Sequence, residues 1–348
     1  MSSIDTLPGP MLARLARTLP LGDSYVYEPK WDGFRCIAAC RAGNVDMRSR
    51  NDKRLARYFP EIVDGLGALG RDLVVDGEIV VFKDDKLDFA SLLQRLHPAA
   101  SRVELLRRQT PACFIAFDLL ELDGRALLSK PFGIRRAALE EALRDAPAPL
   151  RLTPATSDPH EAEQWLDLFS GAGIDGVVAK DTGAVYLPGK RALVKVKRER
   201  TADCVVAAFR WHYAEPVIGS LLLGLYNSDT LSHVGLAASF TAERRRTLTE
   251  DVVPYVTELE GHPWEHGFNV AGGPVGRLPG AASRWAENGE ITFVPLQPML
   301  VAEVSYDHFE GDRFRHPPRF KRWRPDRDPH SCTYDQFAFA ARPLTDVL

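Results

Sequence analysis

The pattern of predicted strands and helices changes near Thr201, and this change constrains the fold more than any other feature. Before it, β-rich segments alternate with segments of helical spacing, the pattern of sheets covered by helices. After it, short apolar strands follow one another with a single intervening helix, which is typical of a small Greek-key barrel such as the OB-fold. We therefore predict an α+β protein with two domains, residues 1–200 and 201–348.

Individual elements follow from their residue patterns. Central strands are predicted for DLVVDGEIVVF and ACFIAFDLLEL, which are β-rich and mostly apolar. Helical spacing marks LDFASLLQRL, IRRAALEEALRDA and HEAEQWLDLF, and Asp158 is expected to cap the last of these. A turn is expected at Ala42-Gly43-Asn44, and the Gly- and Pro-rich stretch from Gly261 to Gly289 predicts a long loop.

Composition limits the classes of function. The net charge of −3 argues against a protein that binds nucleic acid through bulk positive charge. Basic residues nevertheless gather in residues 190–200 and 313–327, an arrangement that suits phosphate contacts, although a solvated surface is the alternative. The five cysteines are scattered, so we predict buried thiols, Cys36 and Cys40 among them, and no zinc module.

Two further features concern location. No apolar run reaches the roughly 20 residues that span a bilayer. The N-terminal sequence also lacks the charged-then-apolar order of a signal peptide. We therefore predict a cytoplasmic protein that makes no contact with membranes.

The sharpest local feature is the run EPKWDGFR, residues 28–35. A lysine amine has an ordinary pKa near about 10.4, so Lys30 becomes a nucleophile only if its surroundings lower that pKa or accept its proton. Gly33 permits a tight turn between strands. An exposed hairpin is the alternative interpretation of this run taken alone.

Polar residues interrupt one of the predicted central strands, and an aromatic residue stands out in another. Asp76 and Glu78 share a face of DLVVDGEIVVF and could hold a divalent metal or a ribose, since buried polar groups are costly unless they are satisfied. Phe117 in FIAFDLL is an aromatic candidate for stacking, although alone it reads as a core residue.

Three more runs carry charge. DGVVAK presents Asp175 and Lys180, and ALVKVK presents Lys195 and Lys197 on one face, where they repel unless an anion lies between them. The basic run RFKRWRPDR, residues 319–327, contains Arg324 and Asp326.

In this order, the runs resemble motifs I, III, IIIa, IV, V and VI of the covalent nucleotidyltransferases, the superfamily of ATP-dependent ligases and mRNA capping enzymes. The resemblance extends from residue 28 to residue 327. It implies an adenylation (nucleotidyltransferase) domain, ATP-grasp-like in class, followed by a C-terminal OB-fold β-barrel. Asp175 replaces the usual glutamate, which puts the metal contact in question, and Arg327 replaces the usual lysine.

The resemblance also implies residue roles, with ATP as the cofactor and AMP carried covalently on Lys30. Catalytic roles are expected for Lys30, Asp32, Arg35, Lys195, Lys197, Arg324 and Asp326. Nucleotide contacts are expected from Glu28, Lys30, Arg35, Arg50, Glu78, Phe117, Lys180, Lys195 and Lys197. Mg²⁺ or Mn²⁺ is expected at Asp76, Glu78 and Asp175.

The implied function is that of an ATP-dependent DNA ligase similar to compact bacterial ligases of the C type. It would seal nicked or gapped duplex DNA through lysyl-AMP and DNA-adenylate, as a monomer acting in repair, for example base excision repair, with repair proteins as possible partners. The alternatives are an RNA ligase, a capping guanylyltransferase, or a DNA-binding subunit with reduced catalysis. Labelling with ATP and with GTP would separate the enzyme classes.

Overall fold

The computed structural model describes residues 7–169, 172–267, 293–337 and 343–344. The chain forms two compact units that divide between Arg198 and Glu199. Leu344 belongs to the first unit, where its amide donates to the carbonyl of Asp85 at 3.1 Å and its side chain is buried. Most of the predicted loop from Gly261 to Gly289 lies outside the described residues.

Two sheets build the first unit. One has four strands in the order β1-β11-β10-β2, namely β1 Ala13–Ala16, β2 Tyr25–Trp31, β10 Ile174–Asp181 and β11 Leu193–Val196. The other has the order β4-β3-β5-β7-β8, with β6 beside β5 and β9 beside β7. Its strands are β3 Phe34–Arg41, β4 Asn44–Ser49, β5 Leu73–Lys83, β6 Lys86–Leu87, β7 Ala112–Leu122, β8 Arg125–Ala126 and β9 Leu150–Leu152.

Five α-helices accompany these sheets among the described residues: α1 Pro60–Ala68, α2 Phe89–Gln94, α3 Ala100–Gln109, α4 Phe132–Ala142 and α5 Pro159–Leu168. The predictions cover α2, α4 and α5, and Asp158 caps α5 by accepting from the amide of His160 at 2.8 Å. Helices α1 and α3 are additions. Two glycines lower the helical propensity of α1, although it buries Ile62 and Leu66 on one face, and α3 buries only Val103 and Leu106.

The two sheets pack on each other. A small buried cluster joins Leu193 of the four-stranded sheet to Ile37 and Val74 of the other sheet, together with Met11 and Tyr186. Burial of these apolar side chains is the main force that holds the sheets together.

The chain passes from one sheet to the other between β2 and β3, through Asp32 and Gly33 alone. A Cβ atom at Gly33 would lie 2.2 Å from the carbonyl oxygen of Ile79. Only glycine fits this approach, so the glycine of the EPKWDGFR run is required for close packing of backbones. Residues before and after this link therefore lie on opposite sheets.

The second unit is a five-stranded antiparallel sheet in the order β14-β13-β12-β15-β18. Its strands are β12 Arg200–Trp211, β13 Ile218–Asn227, β14 Thr230–Ala237, β15 Val294–Tyr306 and β18 Arg319–Trp323, with a separate pair of β16 Phe309–Glu310 and β17 Arg313–Phe314. Helix α6, Ala242–Val252, begins after the cap Thr241. The predicted strands and helix of this region are present.

Two predictions about composition can be checked here. All five cysteines are free and buried, as expected of thiols that act as small hydrophobic residues. In the part of the chain that the structure describes, every helix is too short or too polar to span a membrane.

Candidate active site

A cavity of about 250 Å³ lies between the two sheets of the first unit. The four-stranded sheet contributes Ala13, Glu28, Pro29, Lys30, Trp31, Val178, Lys180, Leu193 and Lys195, and the other sheet contributes Arg35, Glu78 and Phe117. The remaining wall is formed by Met11, Leu12, Arg50 and Arg191. Members of five of the six predicted runs thus line one cavity, because the chain crosses between sheets beside Lys30.

The lining is strongly cationic. Its basic residues are Lys30, Arg35, Arg50, Lys180, Arg191 and Lys195, and its acidic residues are Glu28 and Glu78. Six cations against two carboxylates create a positive potential in a concave, partly desolvated space. Such a cavity suits a polyanion, and its apolar walls leave room for a ring system.

Lys30 shares one carboxylate with a second lysine. Its Nζ lies 2.6 Å from Oδ2 of Asp175, and Nζ of Lys197 lies 2.6 Å from the same oxygen. The three residues meet because β11, β10 and β2 are neighbours in the sheet. The charge of Asp175 therefore holds the two ammonium groups together, which would otherwise repel each other.

The strand geometry explains how Asp175 reaches both lysines. The pairing of β10 with β2 is irregular between Ile174 and Val177, which marks a β-bulge around Asp175. A Cβ atom at Gly176 would lie 2.3 Å from the carbonyl oxygen of Val196. Glycine is therefore required where β10 passes β11, and the bulge directs the carboxylate of Asp175 toward the lysines.

The acids around Lys30 control its protonation. Burial lowers the pKa of Lys30, but the charge and hydrogen bond of Asp175, with the charges of Glu78 and Asp32, outweigh burial and raise that pKa above its ordinary value. The free protein therefore holds Lys30 as an ammonium ion. Asp32 acts here through its charge, and it does not line the cavity.

Glu78 is the acidic group of the cavity that is most perturbed. Burial raises its pKa to about 7, although the cations Arg35 and Lys30 act in the opposite direction. It lines the cavity from β5, on the sheet opposite Lys30. A carboxylate in this position offers hard oxygen ligands to a divalent cation, which would compete with its proton.

Asp76, in contrast, already accepts hydrogen bonds from neighbouring side chains. Its Oδ1 accepts from Nε of Arg35 at 2.6 Å, and its Oδ2 accepts from Nη2 of Arg35 at 2.6 Å and from the hydroxyl of Tyr186 at 2.7 Å. The side chain is fully buried. Because its oxygens already accept three hydrogen bonds, Asp76 positions Arg35, and we leave it out of the metal set in which the sequence had placed it.

Phe117 and Glu28 add an aromatic and an acidic group to the lining of the cavity. The guanidinium of Arg35 lies 4.3 Å from the ring centre of Phe117, and Nζ of Lys180 lies 4.9 Å from it. Glu28 is buried and pairs with Lys180 at 2.7 Å and with Arg136 at 3.4 Å. Burial raises the pKa of Glu28 despite these cations. Phe117 is thus a wall of the cavity as well as a core residue.

The residues of the 319–327 run lie in the second unit. Arg324 donates to both oxygens of Asp203 at 3.1 Å and to Asp326 at 2.8 Å. Arg327 approaches Asp203 at 3.4 Å. The hydrogen bond from Arg324 lowers the pKa of Asp326 to about 2. Arg324, Asp326 and Arg327 therefore form one ion cluster around Asp203 within the second unit.

Sequence reasoning misses several members of the site. Arg191 belongs to the basic stretch noted above, but nothing in the sequence distinguishes it from its neighbours. Arg136 is one of two adjacent arginines in a helical run, and only the structure shows which one faces Glu28. Asp203 and Tyr186 lie in segments without a motif, so no signal in the sequence points to them.

Comparisons with known proteins identify the family of the chain. The family model described as "ATP dependent DNA ligase domain" matches residues 10–197, and "ATP dependent DNA ligase C terminal region" matches residues 214–327. The chain is 49% identical over 331 residues to DNA ligase C2 of Mycolicibacterium smegmatis, covering 94% of this chain and 93% of that protein.

Two other relatives are more distant. The chain is 32% identical to the multifunctional non-homologous end joining DNA repair protein LigD of Mycobacterium tuberculosis, covering 92% of this chain and 39% of that protein. A solved structure of a Lig E DNA ligase has a TM-score of 0.55 at 16% identity, covering 92% of this chain and 100% of that one, which is a likeness of fold alone.

The two matched regions follow the predicted order of a nucleotidyltransferase domain and an OB-fold, and they correspond to the regions that carry the cavity and the Arg324 cluster. A match over more than half of the chain, together with close relatives along nearly its whole length, leads to one conclusion: this chain belongs to the ATP-dependent DNA ligases.

Proposed function

We propose that the enzyme seals nicks in duplex DNA through an AMP group carried on Lys30. The observation that carries this proposal is the position of Lys30 Nζ, 2.6 Å from Asp175, in the wall of a cavity lined by six cations and two acids. A nucleophilic amine beside a carboxylate, facing a polyanion site, has the groups that attack on a phosphate requires.

In the first step, Nζ of Lys30 attacks the α-phosphorus of ATP. A P–N bond forms, the bond between the α-phosphorus and its bridging oxygen breaks, and pyrophosphate leaves. The ammonium proton is first lost to solvent, while Asp175, within hydrogen-bonding distance of Nζ, holds the amine in the cavity wall. Lys195 and Arg191 in the lining offset the charge of the triphosphate.

The residues present fit a divalent cation. We propose Glu78 and Asp175 as its ligands, because the negative charge of each carboxylate raises the pKa of Lys30. Asp175 also contacts the Lys30 amine directly. Bound Mg²⁺ or Mn²⁺ would offset these negative charges, lower the pKa of Lys30 and neutralise phosphate oxygens. Asp175, shorter by one methylene than the family's glutamate, keeps its contact to Lys197 in the free protein.

The proposed nucleotide contacts come from the residues that line the cavity. We place the purine against Phe117, near the buried acid Glu28 and its partner Lys180. Arg35 and Arg50, which also line the cavity, are then available to the ribose and to the DNA 5′-phosphate.

The two later steps complete the reaction. AMP passes from Lys30 to the 5′-phosphate at a nick, giving DNA-adenylate, and the 3′-hydroxyl then attacks that phosphate and releases AMP. For the Arg324 cluster we propose stabilisation of the departing pyrophosphate, because Arg324 can exchange its contact to the exposed carboxylate of Asp326 for a phosphate. Asp326 would then hold Arg324 ready between cycles.

Nicked or gapped duplex DNA is the proposed substrate, and repair is the proposed setting. Support for repair comes from the similarity to the end-joining protein LigD, whose name assigns it to DNA repair. Base excision repair, repair-protein partners, a monomeric state and a cytoplasmic location stay predictions from the sequence.

The proposal is tested by incubating the protein with radiolabelled ATP and Mg²⁺ and then with nicked duplex. We expect a covalent AMP adduct on Lys30, located by mass spectrometry, and its loss together with sealing in Lys30→Ala. Labelling by GTP and not ATP would replace the DNA ligase assignment with a capping guanylyltransferase. Full sealing by Lys30→Ala would contradict the mechanism.

A further inference from the structure

Tyr186 lies between β10 and β11, in a segment that none of the motifs covers. Its side chain is 3% exposed, and its hydroxyl joins two parts of the first unit. The hydroxyl oxygen accepts from the amide of Met11 at 2.8 Å, and the hydroxyl donates to Oδ2 of Asp76 at 2.7 Å. A buried tyrosine whose hydroxyl makes two hydrogen bonds fixes the positions of its partners in addition to filling the core.

These contacts form a closed ring of hydrogen bonds that includes a cavity residue. Nη2 of Arg35 donates to the carbonyl of Met11 at 3.2 Å, and Arg35 also makes both of its hydrogen bonds to Asp76. Tyr186 and Arg35 therefore contact the same two residues, Met11 and Asp76. The ring fixes the guanidinium of Arg35 over the face of Phe117.

The proton of this hydroxyl is stable. Burial raises the pKa of Tyr186, and the charge of Asp76 raises it further against the effect of Arg35. Tyr186 thus donates to Asp76 throughout the range in which enzymes work. Among the described residues, Nη1 of Arg35 has no hydrogen bond, so this nitrogen remains available to a ligand in the cavity.

We propose that Tyr186 is a positioning residue for nucleotide binding, which acts by fixing Arg35 through Asp76 and Met11. The inference rests on the proposed site for ATP. Removing the hydroxyl would leave the amide of Met11 without its acceptor and Asp76 without its third donor. The pair of Arg35 and Asp76 could then rotate, and the affinity gained from a preorganised guanidinium would fall.

The test compares Tyr186→Phe with Tyr27→Phe. Tyr27 is also buried in the first unit, and its hydroxyl donates to the carbonyl of Pro20 at 2.7 Å, but it does not line the cavity. Each variant loses one hydroxyl, with two hydrogen bonds lost in Tyr186→Phe and one in Tyr27→Phe, so both should lower thermal stability, Tyr186→Phe by more. We expect Tyr186→Phe alone to weaken ATP binding, by about tenfold.

Affinity is measured by calorimetry with ATP in EDTA, which reports binding without chemistry. A wild-type protein that binds ATP but forms no adduct with Mg²⁺ would contradict the proposed reaction and leave this test intact. Equal dissociation constants in Tyr186→Phe and wild type, or equal weakening in Tyr27→Phe, would overturn the inference.

A double-mutant cycle identifies the route. If Tyr186 acts through Arg35, Tyr186→Phe should change the dissociation constant less than twofold in an Arg35→Lys background, since the group that it positions is already altered (about 0.4 kcal/mol or less). A full tenfold effect in that background would show that Tyr186 acts by another route.

Discussion

The two units hold their arginine–aspartate pairs in different ways. In the first unit, Arg35 meets Asp76, which is completely buried, through two hydrogen bonds of 2.6 Å. In the second unit, Arg324 meets Asp326, which is 61% exposed. A buried pair is costly to break because an uncompensated charge remains inside, whereas an exposed pair is screened by water and exchanges readily. The first pair suits a fixed wall, and the second suits a contact that changes during a reaction.

The largest expected effect comes from breaking the buried pair. Asp76→Asn leaves the guanidinium of Arg35 without a compensating charge, so we expect the free energy of unfolding to fall by about 3 kcal/mol or more. Adenylylation should fall by at least about a hundredfold, since Arg35 loses its position. Denaturant unfolding and adduct formation measure the two effects.

Asp123→Asn is the matched control, because Asp123 pairs with Arg71 on an exposed surface of the same unit. Its unfolding midpoint and activity should equal those of the wild type. A comparable loss of stability in this control would show that burial does not separate the two kinds of pair.

Glu78 supplies the second test, which concerns pH. Its folded pKa of about 7 lies above the ordinary value near 4.5, so the folded protein binds more protons between these values. Its contribution to stability is therefore complete below about pH 4.5 and is lost as pH rises through about 7. Glu78→Gln should remove this loss and stabilise the ATP-free protein at pH 8 by up to about 3 kcal/mol.

The same variant should be less active. Because a divalent cation competes with the proton on Glu78, wild-type adenylylation at low Mg²⁺ should rise as pH rises through about 7. Glu78→Gln should show a lower rate and a flatter profile. We would measure denaturant unfolding at pH 5 and pH 8 and adduct formation across that range. The role of Glu78 would be contradicted if stability depended on pH in Glu78→Gln as it does in the wild type.

The smallest expected effect comes from the exposed pair. Asp326→Asn should leave the unfolding midpoint unchanged, because the charge that it removes is solvated. We expect adduct formation with ATP to slow by about tenfold while sealing of nicked DNA that is already adenylylated stays normal. Since the pKa of Asp326 is about 2, its effect should not vary between pH 5 and pH 9. A loss of sealing on adenylylated DNA would place the cluster in a later step.

Much of the fold and of the cavity follows from local sequence. The apolar runs of β5 and β7 predict buried strands, and the acids that interrupt β5 identify Asp76 and Glu78 as candidate site residues. Sequence could not assign different tasks to these two carboxylates, because the difference depends on Tyr186, which is 110 positions away from Asp76. Helix α3 was missed for a related reason, since its few buried residues are chosen by neighbours distant in sequence.

The expected environment of Lys30 also needed the structure. The sequence analysis required surroundings that lower the pKa of Lys30 or accept its proton, but the acids Asp175, Glu78 and Asp32 dominate in the free protein and raise that pKa. The spacing of residues along the sequence does not show how charges from separate segments combine around one side chain. These charges make activation of Lys30 depend on what binds beside it.

The two-residue link at Asp32 and Gly33 also limits how this sequence can vary. Lys30 precedes the link on one sheet and Arg35 follows it on the other, with the backbone of β5 packed against Gly33. One extra residue here would turn every side chain of β3 to its opposite face and remove Arg35 from the cavity. The length of this link is therefore as constrained as the identity of Gly33, whereas surface connections elsewhere are free to grow or shrink.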